Sequence, residues 1–349
     1  MNILIVKLSA IGDVIHTLPA LNALRRRFPD AHITWLTEAA AAALIRTHPA
    51  LDRVLVSRRK EWFRGLVSGK TRLTSLMEMI RFVRELRDTR YDMIIDFHQL
   101  LKSGVMVALA RGNRKIGFGP GLEHMEMSHL FLNERVPAVS MAHHALSRNL
   151  MLLEAIGIPC GAVEYRLPIT ETDRAAVVRL LGDSDRRLVA INPVAQWDTK
   201  LWRPCGFARL ADRLIREHGV RVVFTGGPDD VPMVAVIQEQ MAETAINLAG
   251  KTSLTMLGAL LEMSACLVTT DTGPMHLAAA VGAPVTALFG PTAPWRTGPY
   301  GAGHRIIRTG VGCSPCFKRQ CRFGDRRCMT RITVPEVMAA VRRSGALGA

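Results

Sequence analysis

NILIVKLSAIGDVIHTLPAL, residues 2–21, reads as an apolar strand at Asn2–Val6, a small-residue turn holding a lone acid at Asp13, and an amphipathic helix that starts at once. Val14, Leu18, Leu21, Leu24 and Phe28 recur at the helical period and form one stripe. Strand-like runs follow at His32–Leu36, Arg53–Val56 and Tyr91–Asp96, separated by helical stretches whose apolar residues stand three or four apart. Alternation of this kind implies parallel strands, right-handed crossovers and helices on both faces of a sheet.

From Phe131 to Pro168 the pattern is less regular, with a helix expected around Ala142–Ile156 and a break at Gly157-Ile158-Pro159. The alternation then restarts. Strands are expected at Leu188–Asn192, Val220–Thr225, Ile246–Leu248, Cys266–Thr270 and Val285–Phe289. Helices are expected at Phe207–His218, Val231–Glu243, Leu254–Met263 and Met275–Val281. The fold class is therefore α/β, with two Rossmann-like α/β/α domains in tandem, divided as 1–170 and 171–349 and with room for the last helix to pack back on the N-terminal domain. A chain of 349 residues suits that division, being too long for one ordinary core. Open parallel sheets bind ligands beyond the carboxyl ends of their strands, so two such sheets facing each other would share a cleft. Chemistry is expected in four post-strand turns: Ser9–Asp13, Asn192–Trp202, Thr225–Asp230 and Thr270–His276.

Composition narrows the partner. With 48% hydrophobic and 21% charged residues the chain is a packed globular protein. Its longest apolar run, Ala39–Ile45, falls well short of the roughly 18–20 residues of a membrane span. The N-terminus has no basic leader region, and the chain reads as cytoplasmic. A net charge of +15 calls for a polyanion, whether nucleic acid, anionic lipid headgroups or a phosphorylated small molecule. Aromatic residues make up only 5%, and no basic-plus-aromatic platform for stacking bases is present, which argues against nucleic acid.

Among the turns, Thr269-Thr270-Asp271-Thr272-Gly273-Pro274-Met275-His276 follows a strand and opens a helix, where unpaired amides and the positive end of the helix dipole favour an anion. Capping by Asp271 or Thr272, with Pro274 in the first turn, would explain part of it but leaves Gly273 and His276 without a reason. Lys200 lies in the turn Asn192–Trp202 and can neutralise a phosphate as a mobile point charge, though most lysines are solvated surface groups. In Thr225-Gly226-Gly227-Pro228-Asp229-Asp230 an acid could accept ribose hydroxyls or simply cap the next helix.

No GxGxxG follows the first strand, so a hydride-transfer dinucleotide site is unsupported. Gly69-Lys70-Thr71 and Gly250-Lys251-Thr252 resemble the tail of a phosphate loop but lack its upstream glycine. His124 and His129 read as loop surface. Cys160, Cys205 and Cys266 read as scattered, small, buried hydrophobes. Cys313, Cys316, Cys321 and Cys328 could hold zinc or an iron–sulfur cluster, or remain reduced thiols; their spacing is not that of a ribbon or finger. Arg58, Arg59, Lys60 and Arg64 surround Trp62 and Phe63, with Lys70 and Arg72 following. This is either a solvated face or a dock for an anionic amphiphile at a membrane surface.

The run Asp271–Ala280, continuing through Gly282 and Pro284 to Leu288-Phe289-Gly290-Pro291-Thr292 and Gly298-Pro299-Tyr300-Gly301, resembles the signature of glycosyltransferase family 9, the bacterial ADP-heptose:lipopolysaccharide heptosyltransferases. Lys7–Ala20 and Tyr91–Ser103 are most similar to members that add the first heptose to Kdo2–lipid A; second- or third-heptose transfer to a later core acceptor, or a nucleotide-sugar 2-epimerase of the same fold, is the alternative. A nucleic-acid-binding protein with a cysteine-loop metal site is a further rival from the charge alone. The resemblance implies the GT-B fold, an N-terminal acceptor domain and a C-terminal nucleotide-sugar domain. It also implies inverting transfer without metal or cofactor, at the inner face of the inner membrane.

Residue by residue, the resemblance makes Asp13 the general base and Lys200 the lysine at the donor phosphates. Asp271, Thr272, Gly273 and His276 form the donor turn, while Thr252 and Asp229 align loosely with nucleoside contacts. Arg58, Arg59, Lys60, Arg64 and Lys102 are the expected acceptor-binding cations. Two departures stand out. His98-Gln99 replaces the family's Gln-Gly, and Ala195-Gln196 replaces its donor-side threonine pair.

Overall fold

The strand at Asn2–Val6 (β1) is apolar after its first residue and buried from Ile3 onward, the mark of a strand covered on both faces. It lies at the centre of a parallel sheet. The computed structural model describes residues 1–68, 71–122 and 126–347; Gly69-Lys70 of the phosphate-loop-like stretch and His124 lie outside the described residues. Two compact units are present, Met1–Pro168 and the remainder from Ile169 onward.

In the first unit, β1 is joined by His32–Glu38 (β2), Arg53–Ser57 (β3), Arg90–Asp96 (β4), Arg111–Phe118 (β5) and Glu134–Val136 (β6), in the order β3-β2-β1-β4-β5-β6. All five pairings are parallel. Strand order reverses between β1 and β4, where Val6 pairs with Asp96. The carboxyl ends of these two strands are the switch point at which open α/β sheets bind ligands.

The second unit repeats the design with Leu188–Asn192 (β7), Arg221–Phe224 (β8), Ile246–Asn247 (β9), Cys266–Thr270 (β10), Val285–Leu288 (β11) and Arg305–Ile307 (β12). Their order is β12-β11-β10-β7-β8-β9, so the reversal falls between β7 and β10, with Thr269 paired to Asn192. The helix Pro204–His218 starts with proline in its first turn and ends at Gly219, whose φ of +62° suits a residue without a Cβ. The last helix, Val334–Arg343, for which the sequence left a place on the N-terminal domain, buries Val337, Met338 and Val341 in the second unit's own core beside Phe207 and Leu214.

Two strands of the first sheet and one of the second are absent from the sequence expectation. In β5, Arg111, Arg114 and Lys115 break the apolar pattern, and only Ile116–Phe118 are buried. Arg114 instead reaches Glu134 of β6 with a two-pronged ion pair at 2.8 and 2.7 Å. Among the described residues no helix is long and apolar enough to cross a membrane.

Candidate active site

Beyond the carboxyl ends of β1 and β4, the first unit gathers charge that an ordinary core would exclude. Lys7 is buried, and its Nζ donates to the Phe97 carbonyl at 2.8 Å. Burial pulls its pKa down, while the carboxylates of Asp13 and Asp96 pull it back up. Asp96 is fully buried at the end of β4; its carboxylate accepts from the amides of His98 and Gln99 at 2.9 and 3.1 Å and from Ser103 Oγ at 2.9 Å. Burial pushes its pKa up to about 6 in spite of those donors. Asp13 sits half-buried on the short helix Ile11–Ile15, and its Oδ2 accepts from the Ala10 amide at 3.2 Å. Lys7, Asp13, His98, Gln99, Arg148 and Asn149 line one cleft of about 170 Å³. Asn149 braces it by donating to the His16 carbonyl and Thr17 Oγ1 at 3.0 and 2.9 Å.

Gln99 takes φ +62°, the left-handed region where glycine is at ease. This chain places there a side chain that lines the cleft.

His98 and Asp96 oppose each other in pH. Burial, followed by the charge of Lys7, pushes the His98 imidazole down to about 2. Its folded pKa is depressed, so its stabilisation is complete above the ordinary histidine value and lost as pH falls below it. Asp96 has a raised folded pKa, so its stabilisation is complete below the ordinary aspartate value and lost as pH rises through about 6. Between about pH 4 and 6 the two slopes cancel. His98→Gln removes one of them, so denaturant melts at pH 4.5 and 7 will show the variant gaining about 2–3 kcal/mol on wild type at the acid end, at about 1.4 kcal/mol per pH unit. Parallel pH profiles would mean that His98 is not held neutral.

Glu38, the last residue of β2, is buried and collects three cations: Arg59 at 3.7 Å, Lys60 at 3.5 Å and Lys102 at 3.6 Å. Lys102 also donates to Ser9 Oγ at 2.8 Å, in the turn after β1. Three of the five expected acceptor-binding cations thus converge on a carboxylate that the sequence reading passed over. Arg58 pairs with Glu61 at 3.9 Å on the exposed surface, and Arg64 is exposed on the helix Arg59–Ser68. Trp62 is a correction to the expected docking cluster. It is buried against Phe82 with ring centres 5.2 Å apart, and its Nε1 donates to Glu78 at 2.9 Å, whereas Phe63 is exposed.

The second unit builds its site at the other switch point. Lys200, after β7, places its Nζ 2.7 Å from Asp271 Oδ2, after β10, and donates to the Asp271 carbonyl at 3.2 Å. Both groups are largely buried. The Lys200 ammonium also stands 4.7 Å over the Trp197 ring, which Arg319 flanks at 5.3 Å. Thr272 occupies the N-cap position of the helix Gly273–Ala280 without a side-chain cap bond, and Pro274 is in the first turn. Since the Asp271 carboxylate goes to Lys200 rather than to the helix, capping does not account for this turn. The half-buried Thr272 and Gly273 border the helix start, with His276 buried on its first turn.

Asp229 is exposed in the turn after β8, while its neighbour Asp230 takes the local bond from the Gly227 amide at 2.8 Å. Gly250 donates its amide to the Gly226 carbonyl at 3.0 Å, bringing the loop of Thr252 beside that of Asp229. Gly250 has φ +71°, and a Cβ there would meet the Pro228 backbone at 3.3 Å, so this approach requires glycine.

The four clustered cysteines are free thiols lining one cleft of about 260 Å³. Burial and the other three thiols push the Cys328 thiol up, whereas backbone amides of the turn pull the Cys321 thiol down. Their loop is tied to the lysine-bearing turn: Thr199 Oγ1 donates to the Lys318 carbonyl at 2.9 Å, and Arg326 donates to Asp198 Oδ1 at 3.1 Å.

A family model, glycosyltransferase family 9 (heptosyltransferase), matches residues 66–326. The chain is 30% identical to lipopolysaccharide heptosyltransferase 1 of Pseudomonas aeruginosa over 335 residues, covering 93% of this chain and 88% of that protein. Among solved structures, E. coli heptosyltransferase WaaC with ADP superposes with a TM-score of 0.79 at 24% identity, over 99% of this chain and 100% of that one. The same enzyme with ADP-2-deoxy-2-fluoro heptose gives 0.73 at 23% identity, over 97% and 99%.

Proposed function

The chain belongs to glycosyltransferase family 9, and from that premise we propose that it moves a heptose from ADP-heptose to the Kdo region of the lipopolysaccharide inner core, with inversion and without a metal ion. The observation that carries this reading is the repeated switch-point architecture. Each unit gathers charged groups at its own strand-order reversal: Lys7, Asp13 and Asp96 in one, Lys200 and Asp271 in the other. The likeness to heptosyltransferase 1 supplies the sugar and the acceptor, and the ADP named in the WaaC structure matches a half-site built around a lysine and a helix start.

In this reading an acceptor hydroxyl attacks the anomeric carbon of the heptose. The new C–O bond forms as the bond to the diphosphate breaks on the opposite face, and the hydroxyl proton passes to Asp13. General-base help of this kind contributes about 10²–10⁴-fold. Negative charge grows on the departing ADP, where Lys200 and the amide dipoles at Thr272–Gly273 stabilise it, in place of a divalent ion. Asp271 holds Lys200 in position, and Thr252 and Asp229 take the nucleoside side. Arg59, Lys60 and Lys102 meet the anionic acceptor, with Arg58 and Arg64 at the rim. The acceptor places the enzyme on the inner face of the inner membrane.

The test is a transfer assay with ADP-heptose and Kdo2–lipid A, read by mass spectrometry of the lipid. One added heptosyl residue is expected, with ADP released only when lipid is present. Turnover of donor alone would point to an epimerase. Transfer only to an acceptor already carrying heptose would move the chain to a later step of core assembly.

A further inference from the structure

The helix Arg72–Arg87 has two apolar faces, and the fold uses one. Phe82 and Leu86 are buried on its inner side beside Ser75, and Met79 and Val83 pack against the same core. Leu73, Leu76, Met77 and Ile80 are exposed, at 77%, 47%, 63% and 44%. At about 100° per residue these four fall within roughly a 100° arc whose centre lies about 150° from that of the buried three. Phe63 and Val67, one turn apart on the adjoining helix Arg59–Ser68, are 65% and 75% exposed. A surface helix normally turns its polar residues outward, and an exposed apolar face of this kind marks an interaction surface.

We propose that this stripe seats the first unit on an anionic lipid bilayer, with Leu73, Leu76, Met77, Ile80 and Phe63 entering the boundary between headgroups and acyl chains. Charge selects the occupant. Arg64, Arg72, Arg81 and Arg84 are exposed around the stripe, whereas the nearby acids face other partners: Glu78 accepts from Trp62, and Glu85 and Asp88 pair with Arg53 at 3.4 and 2.9 Å. An apolar face rimmed by cations is the pattern of helices that lie in an anionic interface. A second copy of the chain fits poorly, because a two-fold pairing would set the same arginines against one another. The helix Arg59–Ser68 begins at the cations gathered on Glu38, so the seated face leads directly to the proposed acceptor site. The inference deepens the proposed function by naming how the enzyme meets a membrane-borne acceptor, but its test does not depend on transfer.

The experiment is flotation of the full chain with vesicles of phosphatidylethanolamine and phosphatidylglycerol (3:1), free of lipopolysaccharide. Wild type is expected to float with these vesicles and to bind phosphatidylcholine vesicles at least tenfold more weakly. The triple variant Leu73→Gln/Met77→Gln/Ile80→Gln is expected to lose at least tenfold of the partitioning while keeping its melting temperature and its turnover of a deacylated, water-soluble acceptor. Met77→Trp provides a second readout, since its added fluorescence should be quenched by brominated lipid. Wild type that stays with the soluble fraction, a triple variant that floats as well as wild type, or added Met77→Trp fluorescence that brominated lipid leaves unquenched would each overturn the proposal. So would a wild-type dimer that the triple variant splits and that does not bind vesicles. Vesicle binding without transfer to any heptose acceptor would leave this inference standing and sink the proposed function.

Discussion

Asparagine in place of Asp13 is expected to lower kcat by about 10²–10⁴-fold, the usual worth of a positioned general base, and to leave the fold intact, with only the small stability cost of withdrawing one of the two carboxylates that face buried Lys7. The geometry makes the two effects separable. Asp13 has one structural bond, from the Ala10 amide to its Oδ2 at 3.2 Å, and an asparagine oxygen can accept it equally well. What asparagine cannot do is take a proton. Alanine removes both functions, so Asp13→Ala should lose the same activity and in addition about 1 kcal/mol of stability, as for a lost helix cap. Lys7 is the rival base in the same cleft. Its Nζ is already engaged with the Phe97 carbonyl at 2.8 Å, and its pull is toward the carboxylates of Asp13 and Asp96, which suits a group that orients and balances charge. Single-turnover rates with bound donor measure the chemical step directly. Asp13→Asn that retains a tenth or more of the wild-type rate would remove Asp13 from the role.

The parts legible in the sequence share a physical property: their signal is local. Buried parallel strands read as nearly continuous apolar runs, so β1, β7 and β10 stand out from their own residues. Asp13, Lys200 and Asp271 stand out because each lies in a turn directly after such a run. Lys7, Asp96 and Glu38 carry no comparable signal. Each sits where a strand ends and reads as the polar residue that terminates it. They gain meaning only from non-sequential pairing: β1 lies against β4 as well as β2, which brings Asp96 to Lys7, and the start of the helix Arg59–Ser68 returns to Glu38. For the same reason the sequence alone suggests a phosphate partner for Lys200, while its engagement with Asp271, 71 residues away, carries no such signal. The exposed stripe of Arg72–Arg87 was hidden differently. Apolar spacing three or four apart marks a face, but which face meets the core is decided by the neighbours, and here Met79, Phe82, Val83 and Leu86 turn inward while as many apolar residues stay outside.

Methionine at Lys200 should cost about 10²–10³-fold in kcat/KM, the loss typical of removing one preorganised donor to a developing anion, and raise the Kd for ADP at least tenfold. This variant has a confounding effect that must be separated. Asp271 is 6% exposed and would be left as a buried carboxylate without its cation, a change that costs about 3–5 kcal/mol in stability. The double variant Lys200→Met/Asp271→Asn resolves it. With both charges removed the buried pair is replaced by neutral groups, so the melting temperature should recover most of what the single variant lost. Activity should not recover, because the diphosphate still lacks its counter-charge. Asp271→Asn alone tests the positioning role: Lys200 keeps its charge and its place over Trp197 but loses the 2.7 Å contact that fixes its direction. Its kcat should fall less than that of Lys200→Met, and its affinity for ADP should hold or rise as a negative neighbour of the diphosphate disappears. Recovery of both stability and turnover in the double variant would make the pair a structural strut, and the charge that draws off ADP would then have to come from elsewhere in the second unit.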